Sequence, residues 1–185
     1  MEFRLNLCYG RRIMKEIDLF KALDLVPQPL IIVTAGDPET PGKRGGMTVA
    51  WYSRVSWNPP LIAISIAPSR YTYQLIKEYK AFAVNVVSKK HEKIALEIFG
   101  TLSGKHIDKF AKAGIQPIKA QAITAPIIPE SPIVLECKLL TEFPVGDHVV
   151  VISEVVKAYK GSEDHPLVWY KGKCCNITHH SGLGI

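Results

Sequence analysis

Two short runs carry the chemistry available to this chain. The first is Ser69-Arg70-Tyr71-Thr72, which follows Pro68 and opens a stretch with helical spacing. Backbone N–H groups at a helix start, together with the helix dipole, favour an anion. The Arg70 guanidinium can grip a phosphate through two hydrogen bonds, and Ser69 and Thr72 add hydroxyls. The same residues also read as an ordinary helix start, with Ser69 as N-cap and Arg70 in solvent. The second run is Met47-Thr48-Val49-Ala50-Trp51-Tyr52-Ser53. It mixes small, hydroxyl and aromatic side chains where a core strand would carry aliphatics. Small residues such as Ala50 let a flat heterocycle approach the backbone, whose donors and acceptors can meet its polar edge. The competing reading is a plain strand with aromatic neighbours. Together the two runs point to a phosphorylated aromatic cofactor.

Two further clusters are weaker. In Gly146-Asp147-His148 the imidazole could pass a hydrogen bond or a proton to a reduced ring or a carboxamide; a hairpin turn with a surface histidine fits the spacing better. Cys174-Cys175 with His179-His180 brings together soft metal ligands. Adjacent cysteines do not share one tetrahedral ion comfortably, and no metal site is expected. Asn176-Ile177-Thr178 matches a glycosylation acceptor, which carries no meaning without secretion.

The elements that must position these residues are mostly strands. Asp18 is placed to cap a short helix over residues 19–23. Residues 30–35 are β-branched and apolar, the pattern of a buried strand. Residues 36–46 form a polar loop full of Gly and Pro, with neither Gly-x-Gly-x-x-Gly nor Gly-Lys-Ser/Thr, which excludes Rossmann and P-loop phosphate sites here. Residues 46–53 read as one strand, Asn58-Pro59-Pro60 as a turn, and residues 61–67 as a strand. In that strand Ile62, Ile64 and Ile66 share one face; Ala63, Ser65 and Ala67 on the other leave room for something to pack. A helix carries Leu75, Ile76 and Tyr79, and residues 81–87 form a strand with Asn85 as its polar exception. Helices follow over residues 91–99 and 107–113, ended by Gly100 and Gly114. Residues 116–132, rich in Pro and Ala, read as a surface excursion. Strands are expected over 133–142, 148–159 and 167–170, the first two joined by a turn at residues 144–147. Strands in succession argue against an alternating doubly wound sheet. The pattern predicts a mainly β protein, an antiparallel barrel with inserted helices.

The chain has 185 residues, 47 % of them hydrophobic and 22 % charged. That suits one domain with a real core. Residues 1–13 read as an N-terminal extension and 14–185 as the domain, with Met14 a second candidate start. No apolar run approaches the ~20 residues of a membrane span, and residues 1–14 lack the pattern of a secretory signal. A cytoplasmic protein with reduced thiols is expected. The net charge of +6 suits small anions as well as nucleic acid. The lysines are scattered, without a basic stripe interleaved with aromatics, and nucleic acid is not expected as a partner.

Several runs taken together, MTVAWYSRVSWNPPLIAISIAPSRYTY, FAVNVVS, SGKHIDKF and GDHVVVISEVV, resemble the flavin reductase-like, FMN-binding split-barrel proteins, and within them the flavoredoxin or ferric-reductase-like branch. The similarity spans roughly residues 30–170 in the right order. It implies an antiparallel split β-barrel, a homodimer, and FMN bound near the dimer interface. It also implies electron transfer from NAD(P)H through FMN to free flavin, ferric iron or a protein, or a carrier role without catalysis. Under the resemblance, Thr48, Val49, Ala50 and Trp51 lie along the isoalloxazine, with Ser53 near the ribityl chain. Ser69, Arg70 and Thr72 hold the phosphate, Ser103, Lys105 and Lys109 approach it from the next turn and helix, and His148 faces the reacting side of the ring. Trp51 and Tyr52 are bulkier than is usual in that family, and the Cys174-Cys175 tail lies outside its pattern.

Overall fold

A computed structural model describes residues 12–177 and the pair 8–9, with side chains from Met14 onward. Most of the expected extension, and the tail from Thr178 with His179 and His180, lie outside the described residues.

The centre of the molecule is a seven-stranded sheet. Its strands are β1 (Ile31–Gly36), β2 (Arg44–Val49), β3 (Tyr52–Ser56), β4 (Leu61–Ile66), β5 (Ala81–Val86), β6 (Ile133–Val145) and β7 (His148–Lys160). Their order is β2-β1-β5-β6-β7-β4-β3, and every pair is antiparallel. The order explains why residues 46–53 do not form the single strand expected from their composition. The chain breaks at Ala50-Trp51, so that β2 and β3, consecutive in sequence, lie on opposite edges of the sheet. Laid flat, six strand spacings of about 4.8 Å would separate those edges by roughly 29 Å. The link from Val49 to Tyr52 reaches at most about 11 Å. The sheet is therefore strongly curled. Among the described residues no ladder joins its two edges, so it is not closed by hydrogen bonds.

The polar loop is also shorter than expected. Gly36 pairs with Arg44, which leaves residues 37–43 as the connection and places Arg44, Gly45 and Gly46 in β2. The β6–β7 hairpin closes through Gly146 and Asp147, with Gly146 at φ 59°.

Helix α1 (Leu19–Asp24) buries none of its residues, whereas α2 (Tyr71–Tyr79) and α3 (Lys109–Ala113) pack against the sheet. The Asp18 carboxylate accepts from the Lys21 amide at 2.9 Å and caps α1, as expected. Between α2 and α3 a helical stretch over Lys89–His91, Glu92–Ile94 and Ala95–Phe99 ends in a π turn.

Strand β1 is buried along its whole length because both its faces are covered. Ile31 and Val33 join Ile62, Ile64, Ile66, Val149 and Val151 in the main core, and α2 adds Tyr73, Leu75 and Ile76. On the other face Ile32 packs with Phe99, Phe110, Ile128 and Leu167 under the later helices. A second sheet of Gln28–Pro29, Leu167–Tyr170 and Lys173–Asn176 borders this layer.

Residues 116–132 are not a loose surface excursion. Ala120, Ala125, Ile127 and Ile128 are buried. Buried polar side chains tie the segment down. The Asn85 amide donates to the Ile32 carbonyl and Thr34 Oγ1, both at 3.0 Å, and its oxygen accepts from the Ile128 amide at 2.8 Å. Glu136 accepts from the Gln121 amide at 2.9 Å, the Ala122 amide at 2.6 Å and the Tyr159 hydroxyl at 2.6 Å. Burial would raise the Glu136 pKa, but these donors outweigh it and hold the carboxyl below its ordinary value.

Candidate functional site

The curl brings the ends of β2 and β4, the β6–β7 hairpin and the start of α2 to one place. Two adjoining cavities open there, sharing Met47, Ala67 and Arg70.

The first, about 300 Å³, is polar. Ser69, Tyr71 and Thr72 line it from the start of α2, Thr101, Ser103 and Gly104 from the turn before α3, and Lys109 from α3 itself. Ser69 does not cap α2. Arg70 takes the cap position in an extended conformation and offers no side-chain hydrogen bond, so the first amides of α2 carry no side-chain cap. Orphan amides of this kind are the donors that an anion meets at a helix start.

Lys109 is the least expected member. It is 3 % exposed, and its ammonium donates to the Gly46 carbonyl at 2.8 Å and the Phe99 carbonyl at 3.0 Å. Burial, and then the Arg70 charge, bring its pKa down to about 8. An ammonium has three donors; two are spent on backbone, and the side chain lines the cavity. Gly46 lets this packing happen, since a Cβ there would meet the Phe99 ring at 2.9 Å and the Thr34 methyl at 3.0 Å.

The second cavity, about 230 Å³, is lined by Thr48, Val49, Ala50 and Trp51, by Ser65, and by His148 from across the hairpin. Ser65 donates its amide to the Trp51 carbonyl at 3.0 Å, which fixes the chain where it crosses between the sheet edges. The Thr48 hydroxyl donates to the Ala95 carbonyl at 2.5 Å. The rings of Trp51 and His148 lie 4.7 Å apart, tilted by 47°. His148 Nδ1 and the Asp147 carboxylate are 2.7 Å apart. That hydrogen bond from His148, and then its charge, hold Asp147 below the ordinary carboxylate pKa.

The structure thus brings together Thr48, Val49, Ala50, Trp51, Ser69, Arg70, Thr72, Ser103, Lys109 and His148. Ser53 and Lys105 line neither cavity. Ser53 sits on the edge strand β3 and donates to the Arg54 carbonyl, and the Lys105 amide bonds Ser103 Oγ. Sequence reasoning missed Met47, Tyr71 and Thr101 as lining residues. For Ser65 and Ala67 a signal was present: both belong to the small-residue face of the strand expected over residues 61–67. Cys174 packs at the edge of the second core layer, where burial pushes its thiol pKa up, and is a free thiol like Cys137 and Cys175.

The donor set fits a phosphorylated flavin. A phosphate end has uncapped amides, hydroxyls, a guanidinium and a buried ammonium. The other end has small side chains at Ala50, Ser65 and Ala67 beside Trp51 and His148, and the two share Met47, Ala67 and Arg70.

Comparison with known proteins agrees with this geometry. The family model described as "Flavin reductase like domain" matches residues 23–178. An uncharacterised protein of Aeropyrum pernix is 34 % identical over 159 residues, covering 84 % of this chain and 59 % of its own length. This chain therefore spans less than two thirds of that relative. A flavin reductase of Pseudomonas putida is 33 % identical, covering 79 % of this chain and 81 % of its own. The solved flavoredoxin of Desulfovibrio vulgaris (Miyazaki F) superposes with a TM-score of 0.75 at 26 % identity, covering 85 % of this chain and 90 % of that one. Matched over most of its length by family, sequence and fold, the chain belongs to the flavin reductase-like family.

Proposed function

We propose that this chain binds FMN across the two cavities and moves electrons from NAD(P)H to free flavin, ferric iron or a protein acceptor. The observation that carries this reading is the Lys109 ammonium, buried beside Arg70 and Thr72 in a cavity that runs into the ring-sized space beside Ala50. Bound FMN would supply the hydride and electron chemistry, and the protein supplies position and electrostatics. Arg70, Thr72, Ser69, Ser103 and Lys109 hold the phosphate. The Thr48–Trp51 backbone meets the polar edge of the ring. His148, held through Nδ1 by Asp147, lines the ring-sized space and can hand a hydrogen bond or a proton to the reacting face.

The curl of the sheet supports a split barrel, with β2 and β3 as its unjoined edges. Exposed apolar side chains on β3 and β6 and beside them (Val55, Trp57, Leu140, Phe143 and Val145) support a homodimer. No helix among the described residues is long and apolar enough to cross a membrane, and we place the protein in the cytoplasm. A carrier role without catalysis is the second reading. It is favoured by Trp51, which is 52 % exposed and stands against His148, where it narrows access for a nicotinamide.

The test is the visible spectrum of the freshly purified protein, followed by heat release and chromatography of the chromophore. A flavin band with FMN released is expected. A colourless protein that also takes up no added FMN would overturn the proposal. Rapid oxidation of NADH or NADPH by the holoprotein separates reductase from carrier. Arg70→Ala should weaken FMN binding about tenfold or more, the scale of one charge-assisted contact, with turnover at saturating FMN little changed.

A further inference from the structure

An ion pair between Arg44 and Asp108 lies outside both cavities. Arg44, 9 % exposed, places Nη2 at 2.6 Å from Asp108 Oδ2 and Nε at 3.2–3.3 Å from both carboxylate oxygens. Its Nη1 donates to the Pro38 carbonyl at 2.7 Å. Asp108 is the N-cap of α3 and accepts from the amides of Phe110 at 3.0 Å and Ala111 at 3.4 Å. Burial would raise the Asp108 pKa, but the Arg44 guanidinium and these amides outweigh it and keep the carboxyl ionised.

The next residue along from Asp108 is Lys109, whose ammonium reaches back to the carbonyl of Gly46, two residues along β2 from Arg44. The four groups close a ring through both backbones. Arg44 holds Asp108, Asp108 sets the first turn of α3, that turn roots Lys109, and Lys109 is fastened to the strand that carries Arg44. A lysine side chain has several free torsions, and a charge this deep is useful only if its root does not move. The ion pair touches neither cavity, and Lys109, the neighbour of Asp108 in the chain, is the lining residue joined most directly to it.

We infer that the Arg44–Asp108 ion pair is a positioning device for the Lys109 ammonium, and that it sets the preference of this chain for phosphorylated over unphosphorylated flavin. The inference rests on the phosphate assignment above. It gives the connection between β1 and β2 a role in cofactor selection, through the bond of Arg44 to Pro38.

The test measures FMN and riboflavin binding side by side, by fluorescence quenching, in the full chain stripped of flavin and in three variants. Asp108→Asn keeps a capping side chain and removes the charge. It should weaken FMN binding about tenfold and change riboflavin binding less than twofold. Lys109→Met should weaken FMN similarly. Asp108→Asn added to Lys109→Met should cost nothing further, because the pair acts through the missing ammonium. A merely structural role would weaken both flavins in parallel, or would add to Lys109→Met, and either result overturns the inference. So does parental FMN affinity in Asp108→Asn. If the unsubstituted chain binds FMN and riboflavin equally, the phosphate assignment itself fails; if it prefers FMN and Asp108→Asn keeps that preference, only the positioning role fails.

Discussion

Lys109 behaves differently from the other residues of the site because it is charged and buried together. With its pKa brought from the ordinary 10.5 to about 8, the sign of its pH dependence is determined. Between those values the unfolded chain holds a proton that the folded, ligand-free protein has released, so folding stability rises with pH across that window. A phosphate in the cavity reverses the effect by restoring the ammonium. Binding of FMN should then take up protons above pH 8, and affinity should fall by up to about tenfold per pH unit towards 10.5. Calorimetry at pH 9 in two buffers of different ionisation enthalpy checks this. Proton uptake should vanish in Lys109→Met. His148 makes a separate expectation, since it lines the ring cavity and not the phosphate cavity. His148→Ala should retain FMN but slow its reduction by NAD(P)H about 10²-fold, the low end for a positioned acid–base group. Stopped-flow bleaching of the flavin band is the measurement, and an unchanged rate would remove His148 from the chemistry.

At the scale of elements, the arrangement depends on the segment over residues 116–132, which covers the outer face of β1 and β5. Ala120, Ala125, Ile127 and Ile128 bury its apolar side, and buried polar anchors fix its position. The Asn85 side chain bonds the Ile32 carbonyl, Thr34 Oγ1 and the Ile128 amide, and Thr34 Oγ1 in turn donates to the Pro126 carbonyl of the segment. Asn85→Ala leaves buried backbone groups unpaired, and each costs about 1–3 kcal/mol. A loss of about 2–3 kcal/mol in urea unfolding is expected, with FMN affinity in the surviving folded protein close to parental, because no residue of this segment lines the cavities. The sequence announced Asn85 as the polar exception in an apolar strand. It did not announce the partner, because nothing local says that an amide 43 residues later will arrive opposite. Glu136 is the same case: in an alternating strand it reads as a solvent-facing residue, and the covering segment buries it.

At the scale of the whole molecule, the exposed apolar side chains on β3 and β6 require a cover or a reason to be bare. In the homodimer reading they are the cover for one another. Phe143, 53 % exposed near the tip of the β6–β7 hairpin, is the residue whose exchange for a charge should matter most. Phe143→Glu should shift sedimentation from dimer to monomer, and flavin should be lost with it if the site is completed at the interface.

What the sequence determined by itself was everything set by local pattern. The strands over β1, β4, β5 and β7 follow from β-branched runs, the helix ends from Asp18, Gly100 and Gly114, and the tight β6–β7 hairpin from Gly146. That the run from Ser69 to Thr72 offers hydroxyls and a guanidinium at a helix start follows from residue type. The tertiary structure alone decided which residues meet. The break at Ala50-Trp51 carries the chain from one sheet edge to the other, and no periodicity encodes that, because residues 46–53 are compatible with one strand until the sheet curls. The same curl withdraws Ser53 to an edge and brings Ser65, Ala67 and His148 to the ring cavity. Lys109 lies in a polar stretch of sequence and still ends buried, since two carbonyls, from Gly46 and Phe99, accept from an ammonium that composition would assign to the surface.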